Sequence, residues 1–219
     1  MARAKLAVLI SGRGSNLQSL IDAAADDGFP AEVSLVISNR PKAEGLKRAT
    51  KAGIHQLVID HKDFQTREDF DDALNDALRA TKVDYVCLAG FMRMLTPKFV
   101  NDWRGRLINI HPSLLPAFKG LHVHERMIDA GIKIAGCSVH FVSAEVDAGP
   151  IIGQAAVPVL PGDDADALAA RILEQEHKLY PACVKLIAEN KARLSGAVVP
   201  FDSSITAAGA LSNPPGVQL

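Results

Sequence analysis

The sequence is short of cysteine. Cys87, Cys137 and Cys183 are the only three in 219 residues, and no two of them form a Cys-x-x-Cys pair. That argues against a zinc ribbon or a redox dithiol. Each lies in an apolar stretch, where cysteine acts as a small buried hydrophobe. A reducing cytoplasm is the expected compartment. Net charge is lacking too: 24 Lys and Arg against 25 Asp and Glu leave −1. A general attraction to nucleic acid or to an anionic membrane is therefore not expected, although a local basic pocket is compatible with this balance. Long hydrophobic runs are absent. The N-terminal apolar run has about six residues, too few for a signal-peptide core or a membrane span.

What is present is a globular composition, 48% hydrophobic and 22% charged. Apolar runs alternate with helical patterns. Strands are expected at Lys5–Ile10, Val33–Ile37, His55–Ile59, Tyr85–Leu88 and Leu107–His111. Helices are expected near Asn16–Ala25, Lys42–Ala52, Arg67–Ala80 and Pro97–Trp103. The early strands are continuously apolar, as when helices cover both sheet faces. This rhythm predicts an α/β, Rossmann-like, doubly wound and mostly parallel sheet. After His111 the pattern changes. Lys133–Val142 and Pro150–Val159 predict an added antiparallel strand pair, and a long helical pattern follows over Asp164–Asn190, with Pro181 expected to kink or break it. Residues 1–202 are expected to form a single domain, and residues 203–219, small and polar, a flexible tail.

Behind the first strand stands Ser11-Gly12-Arg13-Gly14-Ser15-Asn16. No Walker A lysine follows, which disfavours a P-loop and hence ATP. The run begins like a dinucleotide fingerprint, but Leu17 replaces the third glycine and Ile37-Ser38-Asn39-Arg40 lacks the ribose-binding acid. Two readings remain: a strand-to-helix turn capped by Ser15 or Asn16, or a loop whose Gly14, Ser15 and Asn16 hold one phosphate at a helix N-terminus. On the second reading, Gly14→Val should block the phosphate selectively.

Asn109 and His111 lie two apart on a predicted strand, so they share a face. Pro112 favours an extended His111 and ends regular pairing. Both polar groups then sit at a strand's carboxyl end, where open α/β sheets place ligands. Asp147 precedes a Gly-Pro turn. It is either a turn aspartate bonding nearby backbone or a carboxylate that orients His111 and favours its protonated form. Met92, Arg93, Met94 and Leu95 follow the fourth strand. They read as core residues or as the wall of a pocket for a flat ligand. Arg67 on its own reads as a solvated helix residue. His111, His122, His124 and His140 carry no supporting Cys or carboxylate pattern, so no metal is expected.

Six stretches occur in order from about residue 6 to about residue 182: LISGRGSNLQSLI, VISN, LAGFMRMLTPKFV, LINIHPSLLPAFKGLHVH, GCSVHFVSAEVDAGPII and EQEHKLYP. In these the chain resembles the phosphoribosylglycinamide formyltransferase family, the folate-dependent enzymes of purine synthesis. The resemblance implies formyl transfer from 10-formyltetrahydrofolate to the amine of glycinamide ribonucleotide. It implies a catalytic trio of Asn109, His111 and Asp147. It places the ribonucleotide phosphate at Gly14, Ser15 and Asn16, with Glu176 also touching the ribonucleotide. It places the folate against Arg67, Met92, Arg93, Met94, Leu95 and Asn109. Neither a metal nor ATP is required by such a reaction, and a homodimer is compatible with the family. One departure is Ala144, where the family's loop often carries an acid.

Three other readings compete. A formyltetrahydrofolate deformylase would share the catalytic architecture, but such enzymes usually carry an N-terminal regulatory domain, and the first strand begins within a few residues of Met1. A methionyl-tRNA formyltransferase would be expected to carry a further C-terminal domain and a basic surface. A noncatalytic nucleotide-binding module would explain the glycine loop but not Asn109, His111 and Asp147 together.

Overall fold

The structure is a computed structural model that describes residues 2–202. The expected tail at 203–219 lies outside the described residues. Seven strands form one sheet in the order β3-β2-β1-β4-β5-β6-β7. They are β1 (Ala4–Ile10), β2 (Ala31–Ser38), β3 (His55–Val58), β4 (Tyr85–Leu88), β5 (Leu107–His111), β6 (Ile134–Phe141) and β7 (Ile151–Pro158). β1 to β5 run parallel, and β6 and β7 add antiparallel pairings. The doubly wound sheet with its antiparallel pair therefore stands as expected.

Six helices cover this sheet: α1 (Ser15–Ala24), α2 (Gly45–Lys51), α3 (Arg67–Ala80), α4 (Pro97–Asp102), α5 (Val123–Asp129) and α6 (Ala165–Ala188). The period of two in β1 divides them into layers. Leu6, Val8 and Ile10 join a core with Leu17 of α1, Ala49 of α2, Met127 of α5 and Ile172 of α6. Ala7 and Leu9 join a second core with Phe70, Leu74 and Leu78 of α3 and Phe99 of α4. β1 is thus buried on both faces, which explains its unbroken apolar run.

The chain adds β2 and β3 on one side of β1, then crosses back to lay β4 on the other. This reversal leaves a crevice at the carboxyl ends of β1 and β4. The loop after β1 leads into α1 on one face. The loop after β4 leads into α4 on the opposite face. Ser11 N–H donates to Gly90 O at 3.1 Å, joining the two loops where they part.

One local expectation is corrected, and one helix is additional to those expected. Pro181 neither ends nor splits α6, which runs continuously through it. Its neighbours Tyr180, Cys183, Val184 and Ile187 are buried against the sheet, and that packing outweighs one missing backbone bond. α5 was not anticipated. It has seven residues, and the side chain of its N-cap, His122, accepts no capping hydrogen bond from its backbone, so the usual start signal is absent.

Tyr180 fastens α6 to the floor of the site. Its hydroxyl lies 3.1 Å from Leu88 O and 3.2 Å from Ile108 O, on adjacent strands, with the ring wholly buried. A buried hydroxyl contributes a net stabilisation of about 1 kcal/mol. Tyr180→Phe should lower unfolding free energy by about that amount in urea denaturation, with the fold retained.

Candidate active site

β5 and β6 deliver the polar groups. In their antiparallel register Asn109 faces His140, and His111 faces Ser138. Asn109 Nδ2 is 3.2 Å from His140 Nε2. His140 Nδ1 is 2.9 Å from Phe141 O, so the neutral ring carries its proton on Nδ1 and accepts from Asn109 on Nε2. One amide hydrogen of Asn109 is thereby committed, and the other remains for a ligand.

The loop between β6 and β7 brings Asp147 back over β5. Its Oδ2 stands 3.4 Å from His111 Nδ1 and accepts Gly120 N–H at 2.9 Å. Its Oδ1 is 3.7 Å from His140 Nε2. Asp147 adopts φ +48°, a conformation unusual for a non-glycine residue. Gly149 lets the loop close: a Cβ there would stand 1.7 Å from Phe141 O. His111 is 8% and Asp147 12% exposed at the side chain, so their interaction is little screened by water.

His111 Nε2 lies 3.0 Å from Phe118 O. Both ring nitrogens therefore face acceptor oxygens, an arrangement that a doubly protonated imidazole satisfies at once. To donate elsewhere, Nε2 must leave the Phe118 carbonyl. The structure thus brings Asn109, His111 and Asp147 together and adds His140 and the Phe118 carbonyl. The sequence reading weighed His140 only as a metal ligand. Its place two residues after Ser138, on the strand facing β5, is a signal only once the β5–β6 register is known.

The glycine loop departs from the capping reading. Gly14, at φ +70°, is the N-cap of α1, and no side chain caps the helix. The first-turn N–H groups have no intrahelical partner. Asn16 turns away and donates to Glu176 Oε2 at 2.6 Å. That ties the loop to α6, and burial raises the Glu176 carboxyl above its ordinary value against the pull of Asn16. Gly14 is not the selective probe it was expected to be. A Cβ on it would lie 2.7 Å from Gly45 Cα, a backbone atom. Any side chain would disturb the loop itself.

The remaining candidates surround the loop after β4. Met92 and Met94 are 61% and 57% exposed, which removes the reading of these two as core. The Arg93 guanidinium sits 4.9 Å above the Phe70 ring. Arg67, exposed in the first turn of α3, and Arg93 both act electrostatically on Asp71, so the two arginines lie toward one side of the loop. A separate cleft of about 790 Å³ opens beside Asp147, bounded by Leu115, Lys119, Val142 and the exposed Ala144. Neither Asn109 nor Met92–Leu95 contributes to its walls. Burial pushes all three cysteine thiols up to about 12, which leaves them unreactive. Among the described residues no group of three or more His, Cys, Asp or Glu is placed to hold a metal. Nor, among them, is any helix long and apolar enough to cross a membrane.

The formyl transferase family profile matches residues 4–184. The chain belongs to this family. A phosphoribosylglycinamide formyltransferase from Haemophilus influenzae is 46% identical over 90% of this chain and 93% of its own length. A trifunctional purine biosynthetic protein adenosine-3 from Drosophila melanogaster is 55% identical over 88% of this chain, which spans only 14% of that relative. The crystal structure of a glycinamide ribonucleotide transformylase from Symbiobacterium toebii superposes with a TM-score of 0.89 at 46% identity, covering 91% of this chain and 94% of the other. The formyl transferase fold thus extends over nearly all of the described residues.

Two outcomes follow for this site. Gly14→Ala should lower thermal stability, as read by melting, because the loop and Gly45 must move apart. The second concerns pH. Burial holds His140 below its usual 6.5, against the opposing pull of Phe141 O and Asp147. Burial likewise lowers His124 and His177. Between the lowered folded values and 6.5 the unfolded chain binds more protons, so stability falls as pH drops through that window. The urea midpoint should be lower at about pH 5.5 than at about pH 7.5, and His140→Gln should shrink the difference.

Proposed function

We propose that the chain, through a formyltransferase domain spanning residues 1–202, transfers the formyl group of 10-formyltetrahydrofolate to the amine of glycinamide ribonucleotide. The observation that carries this reading is the contact of His111 with Asp147 at 3.4 Å, at the end of the strand that also presents Asn109. The family, and relatives that cover most of this chain, supply the reaction; these groups supply its chemistry. Both substrates are small molecules, and the formyl folate is a cosubstrate.

The amine nitrogen attacks the formyl carbon, and a C–N bond forms. Negative charge develops on the formyl oxygen. The free amide hydrogen of Asn109 stabilises that charge, and the His111 imidazolium adds to it. As the intermediate collapses, the bond from the formyl carbon to the folate nitrogen breaks. His111 moves its Nε2 proton from the Phe118 carbonyl to that departing nitrogen. The proton lost from the attacking amine passes through water to the Nε2 that His111 has vacated, so His111 ends each turnover protonated as it began. Asp147 holds the imidazolium during these steps. His140 keeps Asn109 turned with its amide nitrogen toward the reacting oxygen.

The ribonucleotide phosphate binds the uncapped N-terminus of α1 at Gly14, Ser15 and Asn16, where backbone N–H groups and the helix dipole favour an anion. Glu176 lies next to it through Asn16 and serves the ribonucleotide. The folate lies against Met92, Arg93, Met94 and Leu95, beside Asn109. Irregular backbone there offers a hydrogen-bonding edge to a flat heterocycle. Arg67 and Arg93 supply positive charge for the folate's carboxylates. Three inert thiols suit a reducing compartment, and the cytoplasm is the site of action we assign.

A formyl-transfer assay with and without glycinamide ribonucleotide tests this reading. Formyl transfer that depends on the ribonucleotide is expected; formate release without it would assign a hydrolase instead. His111→Asn should fold and bind both substrates while losing about 10²–10⁴ in turnover. Asp147→Asn should lose turnover too, with the loss greatest where His111 must be protonated. Turnover near that of the parent in His111→Asn, with the fold confirmed by circular dichroism, would remove His111 as the acid.

A further inference from the structure

The segment from Phe91 to Leu95 leaves β4 with no regular structure of its own, yet its two ends are held by side chains from distant parts of the chain. At the first end the Ser11 hydroxyl accepts Met92 N–H at 2.7 Å. The same hydroxyl donates to Asn39 Oδ1 at 2.6 Å. A hydroxyl has one hydrogen to give, and Asn39 takes it, so the lone pairs are left for Met92. Ser11 is 4% and Asn39 1% exposed. At the second end Asp71 Oδ2 accepts Thr96 N–H at 2.6 Å. Thr96 in turn caps α4, its hydroxyl accepting Phe99 N–H at 3.2 Å.

Between these two points the segment packs on one ring. Phe91 stacks on Phe70 with centroids 6.5 Å apart and planes 12° from parallel, and Arg93 lies over Phe70 as well. Phe70 precedes Asp71 on α3. The inner side chains are thus fastened to α3, while Met92 and Met94 remain exposed. The Asp71 carboxylate is costly for the fold. It is 2% exposed, and its Oδ1 is buried with no hydrogen-bond partner. A buried carboxylate with a free oxygen destabilises the fold unless something compensates. Arg93 and Arg67 offset part of that cost. A hydrophobic residue would fill the space with less penalty, but it could not hold Thr96 N–H.

We propose that Ser11 and Asp71 are positioning residues that clamp the two ends of the Met92–Leu95 segment and so set the affinity for the formyl folate. This rests on the function proposed above. Its consequence runs against position in the sequence. Ser11 begins the loop assigned to the ribonucleotide phosphate, yet its hydroxyl serves the other substrate.

The test is steady-state kinetics of Ser11→Ala, Asp71→Ala and Asp71→Asn with both substrates varied. Each alanine variant loses one buried hydrogen bond to a backbone N–H, so KM for 10-formyltetrahydrofolate should rise about tenfold. kcat and the ribonucleotide KM should stay within about twofold of the parent, because Asn109, His111 and α1 are untouched. Asp71→Asn keeps an oxygen that can accept Thr96 N–H, and it should recover most of the folate affinity. The ribonucleotide KM, read in the same assay, reports whether the fold survives. If Asp71→Ala does not fold, Ser11→Ala carries the test. An unchanged folate KM in Ser11→Ala, or an equal rise in both KM values, overturns the clamp while the proposed function stands. A parent chain that transfers no formyl group overturns the proposed function, and the clamp's role falls with it.

Discussion

Between β1 and β4 the chain changes the side on which it adds strands, and most of what the site contains follows from that change. The loop after β1 must reach α1 on one face of the sheet, and the loop after β4 must reach α4 on the other. Two loops that diverge from adjacent parallel strands leave a crevice that no crossover helix fills. Gly12–Asn16 forms one wall and Met92–Leu95 the other. The bonds from Ser11 N–H to Gly90 O and from Met92 N–H to the Ser11 hydroxyl mark the point of divergence. β5 lies next to β4, so Asn109 and His111 reach the crevice from the side.

The antiparallel pair completes what a purely parallel sheet could not. A parallel neighbour of β5 would point its own carboxyl end toward the crevice and send its chain away into a helix. β6 runs the other way, so a short loop suffices to return the chain as β7. That loop leaves β6 beside Leu107, at the start of β5, and folds back so that Asp147 meets His111. Its closure requires Gly149, because Phe141 O occupies the space a side chain would need. The left-handed backbone at Asp147 is held in place by Gly120 N–H on its carboxylate. Local strain at Asp147 is thus offset by contacts made at some distance in sequence.

The layer behind the crevice is built for rigidity. α6 packs on β6 and β7, its Tyr180 hydroxyl shares one hydrogen between Leu88 O of β4 and Ile108 O of β5, and its Glu176 reaches the glycine loop through Asn16. One helix thus reaches both the ends of β4 and β5 and the glycine loop. Pro181 would end an isolated helix; here the apolar face buried on either side of it keeps the helix continuous. The buried carboxylates of Glu176 and Asp71 are both raised by burial. Each accepts a hydrogen bond from a donor at the edge of one of the two loops, Asn16 or Thr96, which an apolar side chain could not do.

Much of this was legible in the residues themselves. The continuous apolar run of β1 required cover on both faces, so a parallel sheet followed from composition and period. Asn109 and His111 share a face because a strand alternates and because Pro112 ends it, both of which are local rules. Other features depended on contacts between distant residues. No local rule sets the β5–β6 register, and so His140 could not be recognised as the partner of Asn109. Gly14 read as part of a turn or of a phosphate loop, and the selective effect expected of its substitution failed because only folding brings Gly45 within 2.7 Å of where its side chain would stand. Ser11 stood out only as the start of the glycine loop, and nothing local marked Asp71. Their hydrogen bonds cross 81 and 25 residues of chain. Local sequence determines which way a side chain faces along its own element. What that side chain meets is decided by how the elements pack.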